Sequence, residues 1–135
     1  MTRLIHLPCS TSHTERGPVV VIDGTRASVR YDCVDEGRVI WTELVFHDLL
    51  SLRFRDIAAC EATDVLGHDY IVEERSSSEL GELVKRWEVF VGWQEYERRR
   101  VSTDPFKSYH IFFDDAAALE VVARSLEVVH PAQAP

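Results

Sequence analysis

The chain has 135 residues, of which 45% are hydrophobic, and its formal net charge is −8 from 23 acidic and 15 basic residues. A chain of this length and hydrophobicity can bury a core, which excludes disorder throughout. The excess of carboxylates argues against nucleic acid and an anionic membrane surface as partners, because both attract basic groups, and it favours a basic protein partner.

Several features of the sequence predict one domain in the cytoplasm. The first residues lack the apolar core of a signal peptide, and no apolar run approaches the roughly 18 residues of a membrane span. We expect a single domain over residues 1–135, with a partly irregular segment at 1–17 and a frayed tail at 130–135. The odd number and wide spacing of the cysteines argue against a disulfide framework and fit a reducing compartment. These cysteines are Cys9, Cys33 and Cys60.

Alternation of apolar and polar residues predicts strands along much of the chain. The predicted strands are residues 18–22, 27–34, 39–46, 49–57, 70–74 and 107–113. Asp23-Gly24 is a strong turn signal, so the first two strands form a candidate hairpin. Glu36-Gly37 marks the next turn.

The periodicity changes after a run of serines. Ser76 followed three residues later by Glu79 is a capping-box signature, and the adjacent serines offer other registers. A helix is predicted from about residue 77 to about residue 90, with Gly92 ending it. An alternative is a helix that stops near Trp87 and gives way to a strand. The helical stripe consists of Leu80, Leu83, Val84, Trp87 and Val91.

The segment after Asp114-Asp115 allows two interpretations. The three alanines at 116–118 favour a helix over 116–129, whereas the valine pairs that follow favour a hairpin into a strand. The order of several motifs resembles a family of short bacterial proteins with no established activity, in which this last segment is strand, turn and strand. The resemblance covers roughly residues 41 to 128. Its motifs are Trp41-x-x-Leu44-x-Phe46, Leu52-x-Phe54, Tyr70-x-Val72-Glu73 and His110-x-Phe112-x-Asp114-Asp115.

We therefore predict the hairpin at Asp114-Asp115. The predicted fold class is α+β, a mostly antiparallel β-sheet of five to seven strands with one clear amphipathic helix near residues 77–90.

The candidate chemical groups do not form a complete catalytic or metal-binding set. Cys9-x-x-x-His13, with His6 nearby, could supply metal ligands, but the second close pair of a zinc site is missing. Asp114 and Asp115 could bind a divalent ion or act as acid and base, although a turn or helix cap needs the same residues. No catalytic residue, metal site or cofactor is predicted.

An acidic segment is the best candidate for a protein-binding surface. Residues 61–88 carry eight acidic and three basic side chains, more than half of the net charge, and aromatic residues follow directly. Aromatic anchors within a charged rim are typical of interfaces. The alternative is that Trp87 belongs to the core. The candidate partner-binding residues are Glu73, Glu74, Glu79, Glu82, Trp87, Phe90, Trp93 and Tyr96.

Three functional hypotheses follow. The first is a small acidic domain that binds and neutralises a basic protein, as toxin-immunity proteins do. The second is a small-ligand binder or an enzyme that uses Asp114 or Asp115 with a histidine. The third is a structural subunit of a homo-oligomer, held together through Trp87, Phe90 and Trp93.

Overall fold

The computed structural model describes residues 2–11, 18–56, 69–94, 105–113 and 117–135. Within these ranges the chain forms nine strands and one helix, which confirms the predicted α+β class with mostly antiparallel sheet and exceeds the five to seven strands expected. The elements are β1 (Thr2–His6), β2 (Val19–Asp23), β3 (Arg26–Asp35), β4 (Arg38–His47), β5 (Ser51–Asp56), β6 (Tyr70–Glu74), α1 (Ser78–Gln94), β7 (Lys107–Phe112), β8 (Ala117–Ala123) and β9 (Ser125–Ala132).

The strands are arranged in two sheets. One has five strands in the order β1-β6-β7-β8-β5, and the other has four in the order β2-β3-β4-β9. All the pairs are antiparallel. Alternate side chains of each sheet point toward the other sheet, so the main core lies between the two sheets.

The first two hairpin loops have two residues each, as their sequences predict. Asp23 pairs with Arg26 around Gly24, whose φ is +60°. In the loop between β3 and β4, Glu36 and Gly37 have φ angles of 49° and 76°. Positive φ at both positions is the geometry of the tight turn that matches the twist of paired strands.

The core consists of the inward residues of both sheets. Tyr31 on β3 packs edge-on against Phe113, with 5.7 Å between ring centroids, and Phe46 on β4 lies 5.4 Å from Tyr109 on β7. These aromatic pairs join the two sheets. The fully buried members include Ala27, Val29, Tyr31, Leu44, Phe46, Ile71, Phe113 and Val121.

Helix α1 covers part of the outer face of the five-stranded sheet. The Ser77 hydroxyl accepts a hydrogen bond from the Leu80 amide at 3.0 Å, so Ser77 is the N-cap rather than Ser76. The helix continues through Gly92 to Gln94, so the alternative strand after Trp87 does not form. No helix within the described ranges is long and apolar enough to cross a membrane. A second apolar cluster lies between the helix and this face of the sheet. Its side chains are Leu80, Leu83, Val84, Trp87, Phe106, Val122 and Leu50.

The C-terminal part of the chain forms two strands. β8 pairs antiparallel with β7, which confirms the hairpin and excludes the helix over 116–129, while Asp114 and Asp115 lie outside the described residues. A bend at Arg124 moves the chain to the other sheet, where β9 pairs with β4. β9 extends to Ala132, so three residues of the expected frayed tail belong to a strand.

Candidate functional site

A cavity of about 280 Å³ opens at the end of the four-stranded sheet, beside the turn between β3 and β4. Its walls come from the segment after β1, from the facing ends of β3 and β4, and from the bulged part of β9. Most of these groups are apolar or uncharged, and one is a carboxylate. The lining residues are Pro8, Cys9, Ser10, Cys33, Val34, Asp35, Ile40 and His130.

A disulfide bond between Cys9 and Cys33 forms one wall of the cavity. The two Cα atoms are 6.4 Å apart, within the range that a disulfide spans. The expectation of cysteines without a disulfide was therefore wrong for this pair. Sequence spacing could not reveal it, because the pairing depends on the segment after β1 crossing the end of β3. The bond also removes Cys9 from a metal site with His6, and His13 lies outside the described residues.

The Thr42 hydroxyl links this disulfide to a histidine. Thr42 is fully buried, and its Oγ1 lies 3.3 Å from Cys9 Sγ and 2.9 Å from His130 Nδ1. The position of His130 depends on a β-bulge, because β9 has one more residue than β4 between the two flanking pairs. A hydroxyl that can both donate and accept therefore stands between a sulfur and an imidazole.

Tyr31 fixes the backbone at Cys9. Its hydroxyl donates a hydrogen bond to the Cys9 carbonyl oxygen at 2.9 Å. Burial raises the pKa of Tyr31 to about 12, and a hydrogen bond with Thr42 acts in the opposite direction. The phenol is therefore protonated at neutral pH and serves as a donor.

The rim of the cavity carries charged and apolar side chains, among them the exposed Arg38 opposite Asp35. Asp35 and Glu36 are exposed at the turn between β3 and β4. Val34 and Val39 lie opposite each other on the outer face of the sheet and are 49% and 54% exposed. Trp41 is half-buried and lies on the same face, opposite Asp32 in the next outward-facing pair. An apolar pair next to two carboxylates thus reaches solvent here.

The structure separates the acidic residues predicted to bind a partner. Glu73 is buried, with its carboxylate 3.0 Å from Arg75 and 3.9 Å from Arg3, so it is not part of an exposed acidic surface. Glu74 is half-buried, 3.4 Å from His110 Nε2. These two neighbours point to opposite faces of β6, as alternation along a strand requires.

The remaining predicted acids lie on α1. Glu79 forms an ion pair with Arg53, which also lies 2.9 Å from Glu120 on the sheet below. Glu82 is exposed. An exposed ion pair contributes little to stability, typically up to about 1 kcal/mol. Part of the predicted negative surface is thus neutralised by one arginine.

Of the aromatic residues predicted to anchor a partner, the structure describes the side chain of Trp87. Trp87 packs edge-on against Phe106, with 5.0 Å between centroids, and the Arg124 guanidinium lies 4.9 Å from the Trp87 ring. Trp87 therefore contributes to the second apolar cluster, as its alternative interpretation proposed. Phe90 and Trp93 belong to α1, but their side chains lie outside what is described, as does all of Tyr96.

A second polar group of side chains lies on the outer face of the five-stranded sheet. His110 on β7 faces Glu120 on β8, with 3.8 Å between His110 Nδ1 and the carboxylate. The cavity beside them has a volume of about 10 Å³, room for about one water molecule. The proposed partners of this histidine, Asp114 and Asp115, lie outside the described residues. No group of three possible metal ligands occurs in the described part of the chain.

Sequence reasoning missed the cavity site because its members are far apart along the chain. Cys9, Thr42 and His130 come from three separate segments, and no motif connects them. The polar Thr42 at an inward position of β4 was the one available signal. In comparisons with known proteins, no family model, curated protein or solved structure matches this chain, so its candidate function rests on the geometry of the site.

Proposed function

We propose that the protein binds a basic protein partner and that the cavity at the end of the four-stranded sheet receives a lysine or arginine side chain of that partner. The observation that carries this proposal is the exposed Asp35, which lines a cavity together with Pro8, Val34 and Ile40. We also propose that the protein acts in the cytoplasm.

The chemistry of the cavity suits an amphipathic side chain. Lysine and arginine carry a charged group on an aliphatic stem, and such stems pack along apolar surface while the charge stays near water. Pro8, Val34 and Ile40 would contact the stem, and Asp35 would pair with the charge. A volume of about 280 Å³ is large enough for one such side chain.

The surroundings of the cavity support the same class of partner. The apolar pair Val34 and Val39 next to Asp35 and Glu36 has the composition of an interface, with an apolar centre and a polar rim. The net charge of −8 would speed the encounter with a basic surface and oppose an acidic one.

A peptide titration tests the proposal. The probes are a glycine-arginine-glycine tripeptide blocked at both ends and its citrulline counterpart, which keeps the shape and lacks the charge. We expect the arginine peptide to shift the amide NMR signals of Cys33, Val34 and Ile40, and the citrulline peptide to bind more weakly.

A matched pair of variants locates the charge that matters. Asp35→Asn should weaken the arginine peptide about fivefold, because an ion pair at an exposed rim contributes up to about 1 kcal/mol. Asp23→Asn makes the same charge change at the exposed end of β2 and should have little effect. Equal binding by both variants would show that only the net charge attracts the peptide, and the proposed cavity site would be wrong.

Self-association through β2 is a second candidate function. Within the described residues β2 pairs only with β3, and its Val21 and Ile22 are 57% and 56% exposed. An apolar edge strand can pair with a strand of another chain. Light scattering should then detect a dimer that Val21→Lys abolishes and Leu4→Lys, on the edge strand β1, retains. A monomer at millimolar concentration would exclude this candidate.

A further inference from the structure

We infer that Cys9–Cys33 is a redox-active disulfide, which exchanges with small thiols and disulfides of the glutathione class, and that Thr42 and His130 relay the proton of Cys9. This inference is independent of the proposed binding of a basic side chain. It rests on the access to the two sulfur atoms, on the contacts of Cys9 and on the other bonds that hold the segment after β1.

The two cysteines differ in exposure. Cys33 is 5% exposed on the inner side of β3, whereas Cys9 is half-buried, and both line the open cavity. A small thiol or disulfide that enters the cavity therefore reaches Cys9 more readily. An accessible cysteine with a second cysteine beside it is the arrangement that thiol–disulfide exchange requires, because the second thiol resolves the mixed disulfide.

The contacts of Cys9 provide a path for its proton. When the pair is reduced, the Thr42 hydroxyl can accept a hydrogen bond from the Cys9 thiol and donate one to His130 Nδ1, since it lies within 3.3 Å of the sulfur and 2.9 Å of the nitrogen. The hydroxyl hydrogen can rotate between the Tyr31 oxygen and His130. His130 is exposed, so it can pass the proton to water.

Other titratable groups lie near this relay. Asp35 lines the same cavity as His130, and Arg38 lies opposite Asp35 in the register of β3 and β4. Tyr31 remains neutral because burial raises its pKa to about 12. The thiolate is the nucleophilic form of cysteine, so a neighbouring base that accepts its proton increases reactivity near neutral pH.

The thiol–disulfide exchange takes place in two steps, and each step breaks one disulfide bond and forms another. The Cys9 thiolate attacks one sulfur of a small disulfide, which forms a mixed disulfide on Cys9 and releases the first small thiolate. The Cys33 thiolate then attacks the Cys9 sulfur, which closes Cys9–Cys33 and releases the second thiolate. Two protein thiols are oxidised and one small disulfide is reduced to two thiols. With the small thiol in excess, the same steps run in reverse.

The fold holds the segment after β1 by bonds other than the disulfide. The Leu7 amide donates to the Asp69 carbonyl at 2.8 Å, and the buried Thr11 hydroxyl donates to the Phe112 carbonyl at 2.5 Å. These bonds flank Cys9 on both sides. We therefore expect the segment to stay docked when the disulfide opens, so that both redox states keep the relay in place. In the cytoplasm, a disulfide of this kind is usually catalytic or redox-sensing.

The first experiment measures the redox equilibrium of the full chain. Cys60→Ser leaves only the Cys9 and Cys33 thiols, and mass spectrometry after alkylation gives the oxidised fraction across glutathione buffers. We expect the pair to be reduced in buffers that leave the structural disulfides of secreted proteins intact. A pair that stays oxidised in all of these buffers would overturn the inference.

The second experiment tests the relay. In Cys33→Ser/Cys60→Ser protein, Cys9 is the sole thiol, and its rate of reaction with oxidised glutathione is followed against pH. Thr42→Val and His130→Gln should each move the midpoint of the rate profile upward by about one pH unit, which slows the reaction at pH 7 about threefold after allowing for the greater nucleophilicity of a more basic thiolate.

Controls keep the two outcomes interpretable. Thr25→Val, an exposed threonine in the turn after β2, should leave the profile unchanged. Thermal unfolding reports whether the buried Thr42→Val protein is folded, and His130→Gln changes an exposed side chain. Identical profiles for the parent and His130→Gln proteins would refute the relay. The peptide titration uses oxidised protein, so its failure and the failure of this inference are distinguishable.

Discussion

Two buried tyrosines should make the free energy of unfolding depend strongly on pH in alkaline solution. Tyr31 and Tyr109 are 0% and 2% exposed, and burial raises the pKa of each to about 12. The negative charge of Glu73 also raises the pKa of Tyr109. In the unfolded chain both phenols ionise near pH 10.

The direction of the effect follows from these values. The folded state favours the neutral phenol, so the stabilisation is complete below pH 10 and is lost as the pH rises toward 12. Two pKa units correspond to about 2.7 kcal/mol for each tyrosine, or about 5 kcal/mol for both. A domain is typically stable by about 5–15 kcal/mol, so much of the stability should disappear over this interval.

Urea unfolding between pH 8 and pH 12, followed by circular dichroism without reducing agent, measures this loss. Tyr31→Phe and Tyr109→Phe should each remove about half of the pH dependence. Below pH 10, Tyr31→Phe should also lower stability by about 1 kcal/mol, because the Cys9 carbonyl loses its donor. If the double variant lost as much stability between pH 10 and pH 12 as the parent protein, the reasoning would be wrong.

Three further substitutions test the fold. Ser77→Ala should lower the free energy of unfolding by about 1 kcal/mol through loss of the N-cap, and an equal loss in Ser78→Ala would contradict that assignment. Leu44→Ala, in the fully buried core, should cost about 2–5 kcal/mol, while the exposed Val39→Ala should change stability by less than about 0.5 kcal/mol in the same urea assay. Arg124→Lys should lower the melting temperature, because lysine lacks the planar guanidinium that Arg124 places over the Trp87 and Phe106 rings. An unchanged melting temperature would show that a positive charge alone suffices.

Local patterns in the sequence predicted those strands and turns that depend on neighbouring residues. The alternation in β3 put Val29 and Tyr31 on the buried side, and Glu36-Gly37 supplied the positive φ angles of a two-residue loop. The same reasoning overlooked β1 and β9. Both strands have few buried side chains, so their alternation of apolar and polar residues is weak. They form because they pair with neighbouring strands of the sheets.

The candidate site depended on information that no local pattern contains. Cys9 appeared as one of three unpaired cysteines, and His130 fell within an expected frayed tail. The bulge in β9 and the crossing of the segment after β1 bring both to Thr42. For the acidic residues, the number was known from the sequence but the exposure was not. Pairing with arginines decided which of them remain exposed as negative charge, and Glu73 is buried.

The sequence by itself determined the acidity, the presence of a core, the amphipathic helix after Ser77 and the predominance of antiparallel strands, because composition and periodicity act over a few residues. Only the tertiary structure decided which strands share a sheet, that Cys9 meets Cys33 and that a cavity opens beside Asp35. Those features depend on contacts between residues far apart in the chain, and such contacts are fixed by how two sheets pack rather than by any segment alone.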